Sequence, residues 1–152
     1  YVGHSECYMD SPTDYSKDSL AIGGPLQGES WKRIGFMRDV LDALPHPLQL
    51  CDSSWDPHTS PAGENYLMVY LGKEVKSEWE FNLPVRNAGY PRLKEGTRFK
   101  VEILDTWNMT VTECPVVFET GAPANYRIFD KKNRRVRLPG KPYLLLRITE
   151  VK

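Results

Sequence analysis

The stretch Phe99 to Glu113, FKVEILDTWNMTVTE, limits what this chain can fold into more than any other. Phe99, Val101 and Ile103 alternate with Lys100, Glu102 and Leu104, the period of two that buries one face of a strand and leaves the other mostly wet. After Asp105 the alternation resumes, with Trp107, Met109 and Val111 on one side and Thr106, Asn108, Thr110 and Thr112 on the other. A threonine-rich pattern of this kind suits a half-exposed pleated surface. At Asp105 the strand either bends through a bulge or turns a tight corner into a paired strand. Both solutions make this stretch the centre of a β-domain, and the alternation places Trp79 and Trp107 in its core. Asp105 itself is expected to cap backbone amides in an Asx turn.

Short strands surround this centre. Tyr66 to Leu71 is apolar on both sides, as a buried strand is, and Trp79, Phe81 and Leu83 alternate with Glu78, Glu80 and Asn82. Further strands are predicted near Val116 to Glu119, Tyr126 to Phe129, Val136 to Leu138 and Tyr143 to Ile148. Gly72-Lys73, Asp130-Lys131-Lys132-Asn133 and Leu138-Pro139-Gly140-Lys141 supply turns between them. Closely spaced short strands with turn signals argue for an antiparallel sandwich or a barrel.

Upstream, the pattern changes period. Val2, His4 and Glu6 fit a short strand, an irregular Ser-, Asp- and Pro-rich segment follows, and Gly23-Gly24-Pro25 marks a turn. From Ser30, a helix N-cap, Ile34, Met37, Leu41 and Leu44 recur at helical spacing, widened by Phe36 and Val40, until Pro45 ends the run. Pro45 to Gly63 reads as a linker wrapping over a surface. One helix and one strand offer too little partner surface to each other, so the apolar stripe must pack on the β-domain or on something outside this chain.

Lys plus Arg and Asp plus Glu both number 20, so no global field points to nucleic acid or an anionic membrane. No apolar run approaches the roughly 20 residues that span a bilayer, and YVGHSECYMD lacks the build of a signal peptide. A start at Tyr1 fits a processed or excised C-terminal piece of something longer. Cys7, Cys51 and Cys114 lack paired spacing and are expected to be buried thiols. His4, Glu6 and Cys7, and His46, Cys51, Asp52 and His58, match no usual zinc pattern, so neither metal nor cofactor is expected. Cys7 with a histidine carries no hydrolase signature. Glu6, Asp10, Glu29, Asp105 and Glu113 are available for two-carboxylate glycoside chemistry, but solvated surface is their ordinary use. Asn108-Met109-Thr110 fits the short glycosylation pattern from inside a predicted strand. Trp55 alone stands in a polar linker, where it covers a junction or lines a groove.

GHSECY, GGPLQGESWKRIGFMRDVL, YLMVYLG, ILDTWNMTVTE and LPGKPYLLLRI, in that order, resemble the C-terminal part of glycoside hydrolases with an apiosidase-like catalytic barrel. In that family a (β/α)8 barrel is followed by a small β-sandwich. The resemblance runs from about Tyr1 to the end. It implies that Tyr1 to Tyr8 is similar to the last barrel strand and its C-terminal end, Ser30 to Leu44 to the final barrel helix, and Gly63 to Lys152 to the appended sandwich. Active sites of such barrels lie at the C-terminal ends of the strands, which makes His4, Glu6 and Tyr8 positions that face a sugar. Ser5 and Cys7 depart from the family's Gly and Thr, while Glu6 is kept. The acid and nucleophile of such barrels come from earlier strands, so this chain alone is expected to be inactive.

The expectation is thus a mainly β chain in which an antiparallel β-sandwich follows a short strand and one amphipathic helix left over from a (β/α)8 barrel. Its divisions are 1–45 for the barrel end, 46–62 for the linker and 63–152 for the sandwich. Its role is to buttress an upstream barrel acting on plant or microbial polysaccharide, in a parent that is secreted or periplasmic, with no catalytic residue, cofactor, nucleic acid or membrane. Substrate contacts are expected at His4, Glu6, Tyr8 and Trp55. The alternative is a carbohydrate-binding module using exposed aromatics such as Trp55, Tyr90 or Tyr126, and a third reading makes His4 and Glu6 acid and base.

Overall fold

The structure is a computed structural model and describes residues 30–49, 58–85 and 92–151. It divides into two compact units, Tyr1–Asp42 and Ala43–Lys152. The strand expected at Val2 to Glu6 lies outside the described residues. In the first unit, helix α1 spans Ser30–Asp42. It stops before Leu44 because the residue preceding a proline is pushed out of the helical region. Trp31, Ile34 and Leu41 are each 43% exposed, and steps of three and seven residues keep them on one side of the helix.

In the second unit the backbone N–H of Gln49 donates to the carbonyl of Pro61 at 2.8 Å. The ring of His46 lies against Gly63, where a Cβ would sit 2.7 Å from His46 Cδ2 and where φ is +107°. Only glycine meets both conditions. Three residues of the stretch read as linker form an edge strand, β1 (Thr59–Pro61), beside β2 (Tyr66–Tyr70). Pro61 is tolerated there because an edge position does not need its missing N–H.

The main sheet continues through β10 (Leu144–Glu150), β5 (Arg98–Asp105) and β6 (Thr110–Glu113), with β7 (Phe118–Glu119) also paired to β5. Every pairing is antiparallel. β5 and β10 pair along their lengths, with Ile103 opposite Leu146 and Val101 opposite Ile148. Across the core, β3 (Glu78–Glu80) pairs with β9 (Arg135–Arg137), and β4 (Asn82–Pro84) pairs with β8 (Arg127–Phe129). The stretch Trp79 to Leu83 is therefore two short strands meeting at Phe81, whose carbonyl accepts from the N–H of Asp130 at 3.3 Å.

These layers make a β-sandwich. Leu67, Val69, Phe99, Val101, Leu146 and Ile148 of the main sheet share one buried cluster with Phe81, Leu83, Ile128 and Val136 of the second layer. Phe81 stacks on Phe118 with centroids 4.6 Å apart and planes 3° from parallel, and Trp79 meets Phe81 edge-on at 6.0 Å. The sheet's other face is less wet than alternation implies. Leu104 and its partner Leu145 are buried there, as is Met68, so Leu104 is not the solvent-side residue its parity suggested. Among the described residues no helix is long and apolar enough to cross a membrane.

Candidate functional site

The corner between β5 and β6 is a tight turn, not a bulge. Asp105 sits opposite Thr110, and residues 106–109 close the loop. Asp105 Oδ1 accepts the backbone N–H groups of Trp107 at 3.1 Å and Asn108 at 2.9 Å, while Oδ2 accepts Asn108 Nδ2 at 2.7 Å. This is the expected Asx cap. Burial pushes the Asp105 carboxyl up, but the Asn108 side chain, the two amides and nearby Lys141 outweigh it and hold the group below its ordinary range. Met109 completes the turn with φ of 58°.

The turn lifts Trp107 out of the core position that alternation assigned to it. Trp107 is 53% exposed, because side-chain parity carries through a strand but not through a four-residue corner. Trp79 does pack against the core as expected. The same corner puts Asn108 in a turn, with its amide nitrogen committed to Asp105.

Trp107 instead stacks on Tyr143, with ring centroids 5.7 Å apart and planes 25° from parallel. Tyr143 precedes β10 in a left-handed conformation, φ 62°, which is costly for a bulky residue. Its N–H donates to the Gly72 carbonyl at 2.6 Å, and its carbonyl accepts from Thr106 Oγ1 at 2.7 Å and Thr106 N–H at 3.3 Å. Beside the two rings lies a pocket of about 140 Å³, bounded also by Asp105, Asn108, Lys141 and Pro142. Lys141 Nζ stands 3.8 Å from Asp105 Oδ2.

A larger hollow of about 380 Å³ lies beside Trp79, lined by His58, Glu74, Lys76, Asn82 and Arg127 among others. Several of its polar groups bond one another. Lys76 bonds Glu74 and holds its carboxyl low, His58 Nε2 lies 3.8 Å from Glu74, and Arg127 bonds the Asn82 side chain.

Two other carboxylates serve the framework. Asp130 accepts Arg134 Nε at 2.9 Å and Arg134 Nη2 at 2.6 Å, and also the backbone N–H groups of Glu119, Lys132 and Arg134. Burial pushes its carboxyl up, but these bonds overcome that and hold it at about 2. Glu102 bonds Arg147 across β5 and β10 at 2.7 Å, and that bond lowers its carboxyl against the opposing effect of burial.

Of the sequence-predicted positions, His4, Glu6, Tyr8 and Trp55 all lie outside the described residues, as do Tyr90, Cys7 and Cys51. Tyr126 is described, 62% exposed, at a turn with φ of 62°. Cys114 is half-buried against the core. His58 Nδ1 lies 2.9 Å from the carbonyl oxygen of Tyr70. Among the described residues no three His, Cys, Asp or Glu side chains gather as a metal site requires. Sequence reasoning missed the pairing of Trp107 with Tyr143. The Asx residue just before Trp107 signals the turn that exposes it, but not the partner it meets.

Residues 55–149 match the family described as Domain of unknown function (DUF5605). The chain is also similar to the crystal structure of a putative glycoside hydrolase from Bacteroides vulgatus ATCC 8482. The two share 56% identity at a TM-score of 0.80, over 85% of this chain and 25% of that one. The chain therefore spans about a quarter of the solved chain it matches. No curated protein matches it.

Proposed function

We propose that this chain, which belongs to the DUF5605 family, is the C-terminal accessory region of a glycoside hydrolase and buttresses the catalytic barrel without being catalytic alone. The observation that carries this reading is the match at 56% identity to only a quarter of a chain named as a glycoside hydrolase. In the same reading the parent has an apiosidase-like (β/α)8 barrel, 1–45 supplies its last strand and helix, 46–62 links, and 63–152 is the sandwich. His4, Glu6 and Tyr8 then border the sugar site at the barrel mouth.

Two features of the described residues support it. Trp31, Ile34 and Leu41 of α1 form an exposed apolar stripe, the kind of surface a helix buries against a partner. The carboxyl groups of Glu102, Asp105 and Asp130 are held low by the partners they bind. A glycosidase acid needs the opposite, a carboxyl raised so that it keeps its proton near neutral pH.

The test has two arms. The 152-residue chain should release no reducing sugar from plant or microbial polysaccharides, and the longer parent should lose thermal stability when 63–152 is deleted. Turnover by the isolated chain that Glu6→Gln abolishes, or a barrel equally stable without the sandwich, would overturn the reading.

A further inference from the structure

We propose that the Trp107–Tyr143 corner is a binding subsite for a single neutral pyranose residue of a saccharide. The proposal stands on the geometry of the sandwich and goes beyond the buttressing role, which does not require it.

Size comes first. The pocket holds about 140 Å³, well below the roughly 300 to 1,000 Å³ of sites that enclose drug-sized ligands. One sugar ring fits that space, so the subsite takes a single residue of a saccharide. Chemistry comes second. A pyranose has an apolar face of C–H groups, which packs against the negative face of an aromatic ring, and an edge of hydroxyls. The corner offers both surfaces. Trp107 is 53% exposed beside Tyr143, and the pocket is rimmed by Asp105, Asn108 and Lys141. Asn108 turns its nitrogen to Asp105, which leaves its amide oxygen as the acceptor for a hydroxyl.

Charge narrows the class. Lys141 alone would favour an acidic sugar, but Asp105 Oδ2 lies 3.8 Å from Lys141 Nζ and offsets it. The local sum is zero, and a uronate carboxylate would meet Asp105. Preorganisation is the fourth element. Tyr143 stays in a left-handed conformation because Gly72 and Thr106 hold both its backbone groups. A strained residue fixed in this way on a surface corner keeps its ring against Trp107 before any ligand arrives, which removes an ordering cost from binding.

The test is NMR titration of the full chain with methyl glycosides of glucose, galactose, mannose and xylose, and with methyl glucuronoside, following the Trp107 indole N–H and, in the Trp107 variants as well, the backbone amides of Asn108 and Lys141 beside the pocket. At least one neutral glycoside should shift these resonances saturably, with a dissociation constant on the order of 1 mM, as a ligand of about a dozen heavy atoms allows. Trp107→Ala should abolish binding and Trp107→Tyr should retain part of it, while Tyr126→Ala, at another exposed tyrosine, should leave it unchanged. No shift with any neutral glycoside, binding of the glucuronoside alone, or binding that survives Trp107→Ala would overturn the subsite. None of these outcomes bears on the polysaccharide and deletion assays, so the accessory role stands or falls separately.

Discussion

Thr106 Oγ1 donates to the carbonyl of Tyr143 at 2.7 Å, and this bond ties the β5–β6 corner to the entry of β10. Thr106→Val keeps the side-chain shape and removes the donor, leaving only the longer 3.3 Å backbone bond to that carbonyl. A net loss of about 1 kcal/mol is expected, seen as a fall of a few degrees in Tm. The near-ultraviolet circular dichroism from the Trp107–Tyr143 stack should weaken as well. A variant with an unchanged aromatic signal would show that Thr106 does not hold the rings together.

Asp130 gives the chain an acid-sensitive lock. Its carboxyl sits at about 2 in the folded state, against an ordinary value of 3.8. The group therefore stabilises the fold fully above about pH 4, and that contribution is lost as pH falls through 2. With its side chain fully buried, the difference corresponds to about 2 kcal/mol. Asp130→Asn should lower stability by about that much at pH 7, measured by urea unfolding. The gap between variant and parent should close as pH falls from 4 to 2. A gap constant with pH would mean that the loss comes from packing and not from the charge.

How far the sequence could be read depended on whether each inference stayed inside one element. Val101 and Ile103 are buried on one face of β5, as period two demands, and Asp105 caps the turn as its residue type suggests. Trp107 and Leu104 escaped the same logic for opposite reasons. Parity does not pass through a corner, so Trp107 came out exposed. Parity also cannot report that a second face is covered, so Leu104 came out buried. The Trp107–Tyr143 contact joins residues far apart in sequence through a left-handed tyrosine, and no local pattern encodes that. Thr59–Pro61 passed for linker because its strand character comes from pairing with β2, not from its composition.

Phe81 is the hinge point of the core, between β3 and β4 and 1% exposed, with Phe118 stacked on it. Phe81→Ala removes a ring that neighbouring strands cannot collapse to replace, so a loss of about 3 to 5 kcal/mol is expected. That is a large share of a small domain's stability, and much of the chain should be unfolded near body temperature. Val111→Thr, on the exposed strand β6, should move stability by no more than about 0.5 kcal/mol. Equal effects from the two substitutions, measured by thermal unfolding, would contradict the placement of the core.

Glu102 and Arg147 face each other across the central pair of strands, and their bond is shielded, with side chains 15% and 21% exposed. Tyr66 adjoins them: burial raises its phenol above the ordinary range, and the nearby Arg147 guanidinium offsets part of that rise. Removing either charge alone leaves the other poorly solvated, so Glu102→Leu and Arg147→Met should each cost about 1 to 3 kcal/mol. The double variant replaces the pair with apolar groups on a face that already buries Leu104 and Leu145. It should cost less than the sum of the single changes, with a coupling of about 1 kcal/mol or more in a double-mutant cycle. Strictly additive losses would mean that the two side chains act through separate contacts and that their bond does not help hold β5 against β10.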